Sequence, residues 1–201
     1  MGDNGNMDLD YLKQATRSDH EATESTVSLM DPALKLSDYV EVLQRMYGAV
    51  RAWDDWSAVH VPVALASLLK GRHRSPLIES DLVALNAEIP ATRNGDSASL
   101  AAYLDGDEGQ RAAAFLGAMY VIEGSTLGGQ YIARHVEQVL HLAPGQGDAY
   151  FRGYGDQTGS MWRDFKAVLA EVPEIHTALV VGSAKKMFTF FASHMTDIVE
   201  K

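Results

Sequence analysis

Apolar residues recur at steps of three and four along most of this chain, the spacing that places them on one face of a helix. Leu9, Leu12, Thr16, His20, Thr23 and Val27 form the first such stripe, predicting a helix from Asp8 to about Ser28 that Asp31-Pro32 ends. Ser37 suits the N-cap of a second helix reaching about Val59, with Tyr39, Val40, Leu43, Met46, Tyr47, Val50 and Trp53 inward. Shorter helices follow Pro62, around 63–70 and 78–87, then a polar loop from Pro90 to Ser97 and a short helix near 98–104. A long helix is predicted from about Glu108 to Leu142, closed by Pro144-Gly145-Gln146-Gly147. The last two cover about 157–171 and Pro173 to about Val199, with proline in a first turn where it is tolerated. No stretch alternates as a strand and no segment repeats. The expectation is an all-α, single-domain bundle of seven to nine helices over 8–201, after a loose tail at 1–7.

One part of this pattern is anomalous. Gly124, Gly128 and Gly129 lie inside the long helix, in the run Glu123-Gly124-Ser125-Thr126-Leu127-Gly128-Gly129. Each interior glycine costs about 1 kcal/mol relative to alanine. Gly124 and Gly128 are four apart and share a face, and Gly129 widens the bare strip and permits a kink. A face without side chains lets a flat object approach the backbone. Close packing of a second helix is the competing account, and for this segment alone it is the better one.

Composition narrows the chemistry. The 201 residues suit one domain, and a chain of this size buries roughly 70% of its unfolded surface. There is no cysteine, which excludes disulfides, thiolate metal sites and cysteine nucleophiles. A net charge of −10 argues against nucleic acid as a partner. The start is polar and acidic, unlike a secretory signal. No apolar run approaches the roughly 18 residues of a membrane span, so a soluble, cytoplasmic protein is expected.

His20 lies on the apolar face of the first helix. A neutral histidine there is either a metal ligand or a satisfied core residue. Glu24, one turn on, can accept the second ring N–H and fix the tautomer, or simply form an i,i+4 pair. Lys13 and Arg17 flank this face, as cations on a pocket rim that suit ligand carboxylates or as a solvated edge. The other six histidines make no Glu-x-x-His pair. There is no nucleophile elbow and no phosphate-binding glycine loop.

Three segments taken together resemble heme oxygenase. Leu12-Lys13-Gln14-Ala15-Thr16-Arg17-Ser18-Asp19-His20-Glu21-Ala22-Thr23-Glu24 is similar to the family's proximal helix, whose histidine binds heme iron. The glycine run is similar to its distal helix as found in bacterial members. Tyr154-Gly155-Asp156-Gln157-Thr158-Gly159-Ser160-Met161-Trp162-Arg163-Asp164-Phe165 resembles a later stretch of that group. The resemblance implies heme held between the two helices, with His20 as the iron ligand oriented by Glu24. Gly124, Ser125 and Gly128 would line the O₂ side, with Gly129 beside them.

The resemblance also implies oxidative opening of heme to biliverdin, releasing CO and ferrous iron and consuming O₂ and external electrons. Lys13 and Tyr120 match positions that contact heme propionates, and Lys185, Lys186 and Phe190 lie on a final helix that frames the pocket. Animal members carry an aspartate where this chain has Ser125, so its proton route differs. The electron donor would be a ferredoxin, a flavodoxin or a reductase, docked on a basic patch at Lys185 and Lys186. A bilin-binding photoreceptor downstream and iron acquisition are both compatible uses. The alternative is a heme carrier or sensor that does not degrade its ligand. A thiaminase-like hydrolase is disfavoured because the chain lacks cysteine.

Overall fold

The computed structural model describes residues 6–91, 100–101 and 105–196. The expected loop at Pro90 to Ser97 and helix near 98–104 fall mostly outside these residues. Among them there is no strand, only one isolated bridge between Asn6 and Pro173. The all-α expectation is met.

The predicted first helix is two. Helix α1 spans Leu9–Ala15 and α2 spans Arg17–Glu24. The Asp8 carboxylate starts α1 by accepting from the amides of Asp10 and Tyr11 at 2.9 and 3.1 Å, the N-cap bond of a short polar side chain. Thr16 breaks the run, with φ −106° and ψ 2°. Its hydroxyl donates to the Leu12 carbonyl at 2.8 Å, a local bond that competes with the helix ladder. The hydroxyls of Ser25 and Thr26 bond the carbonyls of Ala22 and Thr23, and α2 ends at Glu24 rather than near Ser28. Of the expected tail at 1–7, only Asn6 and Met7 lie within the described residues. Met7 is buried and its amide donates to the Val172 carbonyl at 3.0 Å.

Helix α3 (Leu36–His60) begins one residue before the expected cap, with Lys35 in the N-cap position. The Ser37 hydroxyl bonds Asp38 instead. A 3-10 turn at Val63–Leu65 leads into α4 (Ala66–Leu69), and α5 is Ser75–Ala84. The cap of α5 is tertiary: Asp54 of α3 accepts from the amides of Arg74 and Ser75 at 2.9 and 2.7 Å. A cap some twenty positions away leaves no local signature, which is why the sequence pattern starts this helix three residues late.

Helix α6 (Glu108–Leu140) is continuous through all three glycines. Asp107 and Gln110 close a reciprocal capping box at its start, and His141 ends it in the left-handed region at φ 56°. Helices α7 (Ala149–Arg152), α8 (Thr158–Ala170) and α9 (Thr177–Thr196) complete the bundle. The core has two parts. One gathers Trp53, Trp56, Phe115, Phe165 and Met187, the other Tyr39, Leu43, Ile78, Leu82, Val136 and Phe151. Helix α9 lies against both α2 and α6. It comes so near α6 that a Cβ on Gly117 would sit 2.3 Å from the Val180 carbonyl oxygen.

Candidate functional site

His20 is not in the core. Helix α2 buries none of its residues, and the His20 side chain is 55% exposed. Phe188, on α9, and the imidazole meet edge to face at 5.8 Å between centroids. Nδ1 lies 3.4 Å from the Glu24 carboxylate. That arrangement favours a proton on Nδ1 and leaves the Nε2 lone pair for a ligand. No group of three or more metal-binding side chains exists among the described residues. An iron held at His20 must therefore bring its other donors with it, as a porphyrin does.

The glycines of α6 divide by what their missing side chains would meet. A Cβ on Gly128 would have nothing within 4 Å, and one on Gly124 only Trp162 at 3.9 Å. A Cβ on Gly129 would instead lie 2.5 Å from the Phe151 carbonyl oxygen. Gly129 is thus a packing glycine, buried against Phe151 and turned away from the open space at Gly128. At the N-terminal edge of the bare face, Tyr120 reaches the Thr16 hydroxyl at the start of α2 and stands 5.9 Å from Trp162. Burial raises its pKa and the Thr16 contact opposes the rise. Trp162 stacks on Phe165 at 5.5 Å, with the Lys166 ammonium 5.9 Å from its ring.

Behind the bare face is a buried polar cluster. Glu123 pairs with Arg72, and both are almost fully buried. The Tyr154 hydroxyl donates to the same carboxylate at 2.7 Å, and Arg72 also donates to the Met161 carbonyl at 3.0 Å. Burial pushes the Glu123 carboxyl up despite Arg72, Tyr154 and Arg74, which pull it down. Arg74 donates through Nη2 to the Ile122 carbonyl at 2.9 Å, the Ser125 hydroxyl at 2.8 Å and the Tyr150 hydroxyl at 3.2 Å. Ser125 donates in turn to Ile122 at 2.8 Å.

Other expected residues are placed less closely. Lys13 and Lys186 are exposed. Lys185 sits 3.9 Å from Asp19, so the expected basic patch is partly neutralised. Phe190 is buried against Phe191 and His194, and the ring beside His20 is Phe188. Arg72 and Arg74 carried no site signal in the sequence, and Tyr154 and Trp162 entered only within the third similar segment, with no role assigned. A lone arginine or tryptophan reads the same on a surface as in a cluster, and only long-range contacts distinguish the two.

Fold and site define a class: an all-α protein in which an exposed histidine helix and a bare-backed glycine helix share a third helix as their floor. The profile of the heme oxygenase family matches residues 8–197, and the chain belongs to that family. It is a heme-degrading oxidoreductase by that membership. A heme oxygenase from Xanthomonas campestris pv. campestris (strain 8004) is 29% identical over 157 residues, covering 76% of this chain and 86% of that protein. The structure of heme oxygenase from Leptospira interrogans matches with a TM-score of 0.71 at 16% identity, over 93% of this chain and 97% of that one. The NO- and CO-bound heme oxygenase from Neisseria meningitidis matches at 0.70 and 18%, over 92% and 88%. These two structures share its fold. No helix among the described residues is long and apolar enough to cross a membrane.

Proposed function

We propose that this chain opens heme to biliverdin with release of CO and ferrous iron, using O₂ and electrons from a ferredoxin, a flavodoxin or a reductase. The observation that carries the proposal is the open space at Gly124 and Gly128. Two interior glycines each cost the helix about 1 kcal/mol, and no protein atom crowds the space a side chain at either would take. Packing, the better account of the glycine run in sequence alone, therefore explains Gly129 and Gly117 but not these two. A flat ligand laid against the backbone does explain them.

The residues fit heme on three further counts. His20 would offer one nitrogen to the iron, with Glu24 beside the ring's other nitrogen. Phe188 and Trp162 supply apolar walls. Lys13 and Lys186 are free to meet propionates, with Tyr120 at the inner edge. Bound heme supplies the iron at which O₂ is reduced, and its own ring is the substrate. The chain's part would be orientation: His20 would hold the iron, and the bare backbone at Gly124 and Gly128 would let the long helix lie close to the ligand.

Titration with hemin followed by a reductant in air tests this. A Soret band saturating at one heme per chain and decaying to a biliverdin spectrum is expected, and His20→Ala should lose the native ligation spectrum. A Soret band that survives reductant and O₂ identifies a carrier or sensor. No saturable band refutes the heme reading.

A further inference from the structure

We infer that the turn running from Gly71 to Ser75 is a clamp on the glycine-bearing part of α6, with Arg72 and Arg74 as positioning residues for the face at Gly124. One turn of chain supplies both arginines, and they grip the residues on either side of that glycine. Arg72 holds Glu123 and Arg74 holds Ser125. The turn is itself held from α3, because Asp54 accepts the amides of Arg74 and Ser75. Arg72 adds a tie to the Met161 carbonyl of α8, next to the Trp162 that borders Gly124. The bare face is thereby referenced to α3 and α8 as well as to α9.

Stability alone does not account for Arg74. Its side chain is 2% exposed, its acceptors are neutral oxygens, and its Nε is buried without a hydrogen-bond partner. Glu123 is near enough to attract the charge but does not bond to it, and a buried cation whose hydrogen bonds go to neutral oxygens and whose Nε lacks a partner recovers only part of its lost hydration. What the geometry supplies is position. One guanidinium nitrogen joins the Ile122 carbonyl, the Ser125 hydroxyl and the Tyr150 hydroxyl, while the ring of Tyr150 stacks 4.6 Å below the guanidinium. Ser125 has one proton, committed to Ile122, and accepts from Arg74. In the clamped state Ser125 donates nothing toward the bare face. It acts by holding the helix turn.

The test has one readout that needs no heme and one that rests on the heme reading. Arg74→Lys keeps the charge but cannot span the three acceptors. Amide hydrogen exchange of the full chain should quicken at least about tenfold at 125–129, about 1.4 kcal/mol, while 113–119 of the same helix stay unchanged. Ser125→Ala, a smaller change that keeps the fold, should give a lesser effect in the same amides. The double variant should fall short of the sum of the two single effects, because the variants share the Arg74–Ser125 contact. With hemin bound, Arg74→Lys should leave hemin affinity within about threefold, since His20 lies on another helix, and should shift the C–O stretch of the CO complex. Uniform acceleration along α6, additive variants or an unmoved C–O stretch would overturn the clamp. If wild type binds no hemin, the heme reading falls, and the exchange pattern still decides the clamp.

Discussion

Gly128→Ala and Gly129→Ala, adjacent in sequence and identical in chemistry, should have opposite effects. At 128 the new methyl meets nothing within 4 Å. The substitution removes a helix-interior glycine, so the unliganded protein should gain about 1 kcal/mol. For a chain of about 200 residues that raises Tm by roughly 2–4 °C. The same methyl occupies the space assigned to heme. Overpacking a closely fitted surface costs about 1–3 kcal/mol, so hemin should bind roughly 5- to 150-fold more weakly. At 129 the methyl carbon would lie 2.5 Å from the Phe151 carbonyl oxygen, a backbone atom that cannot rotate away. The protein should lose about 1–3 kcal/mol, with little direct effect on hemin. Thermal unfolding by circular dichroism and a Soret titration measure both quantities on the same samples. The reasoning fails if Gly128→Ala destabilises the unliganded protein, or if it stabilises the protein and leaves hemin affinity unchanged.

Two further results follow from buried charges. Removing one partner of the Arg72–Glu123 pair should cost about 3–5 kcal/mol, and Arg72→Met with Glu123→Leu together should cost less than either alone, read by denaturant unfolding of the three variants. Asp81 is buried and its carboxyl is raised from 3.8 to about 6, chiefly by burial, against the amides of Tyr150 and Ala149 that it accepts. A carboxyl with a raised native pKa contributes its stability in the protonated form. That contribution is full below about pH 4 and is lost as pH rises through about 6. The stability gap between wild type and Asp81→Asn should therefore be widest near pH 4 and narrow toward pH 7. A gap that widens with pH would contradict this origin.

Local information in the sequence determined the helices and some of their ends. The three-four stripes place α3, α6, α8 and α9 because burying one helical face is the same problem in any tertiary setting. The His20 and Glu24 pairing was equally legible, since i and i+4 meet on any helix. So was the anomaly of three glycines in one helix. The tertiary structure decided what each glycine faces. Gly129 and Gly117 answer to carbonyls of Phe151 and Val180, while Gly124 and Gly128 face space, and no sequence spacing says which backbone will approach which face. It also decided that Phe188 rather than Phe190 meets His20, and that α5 is capped from α3. Arg72 and Arg74 lie some fifty residues from the helix they hold. Helical periodicity is a property of neighbours along the chain, whereas a site is a coincidence of surfaces that only the completed packing brings together.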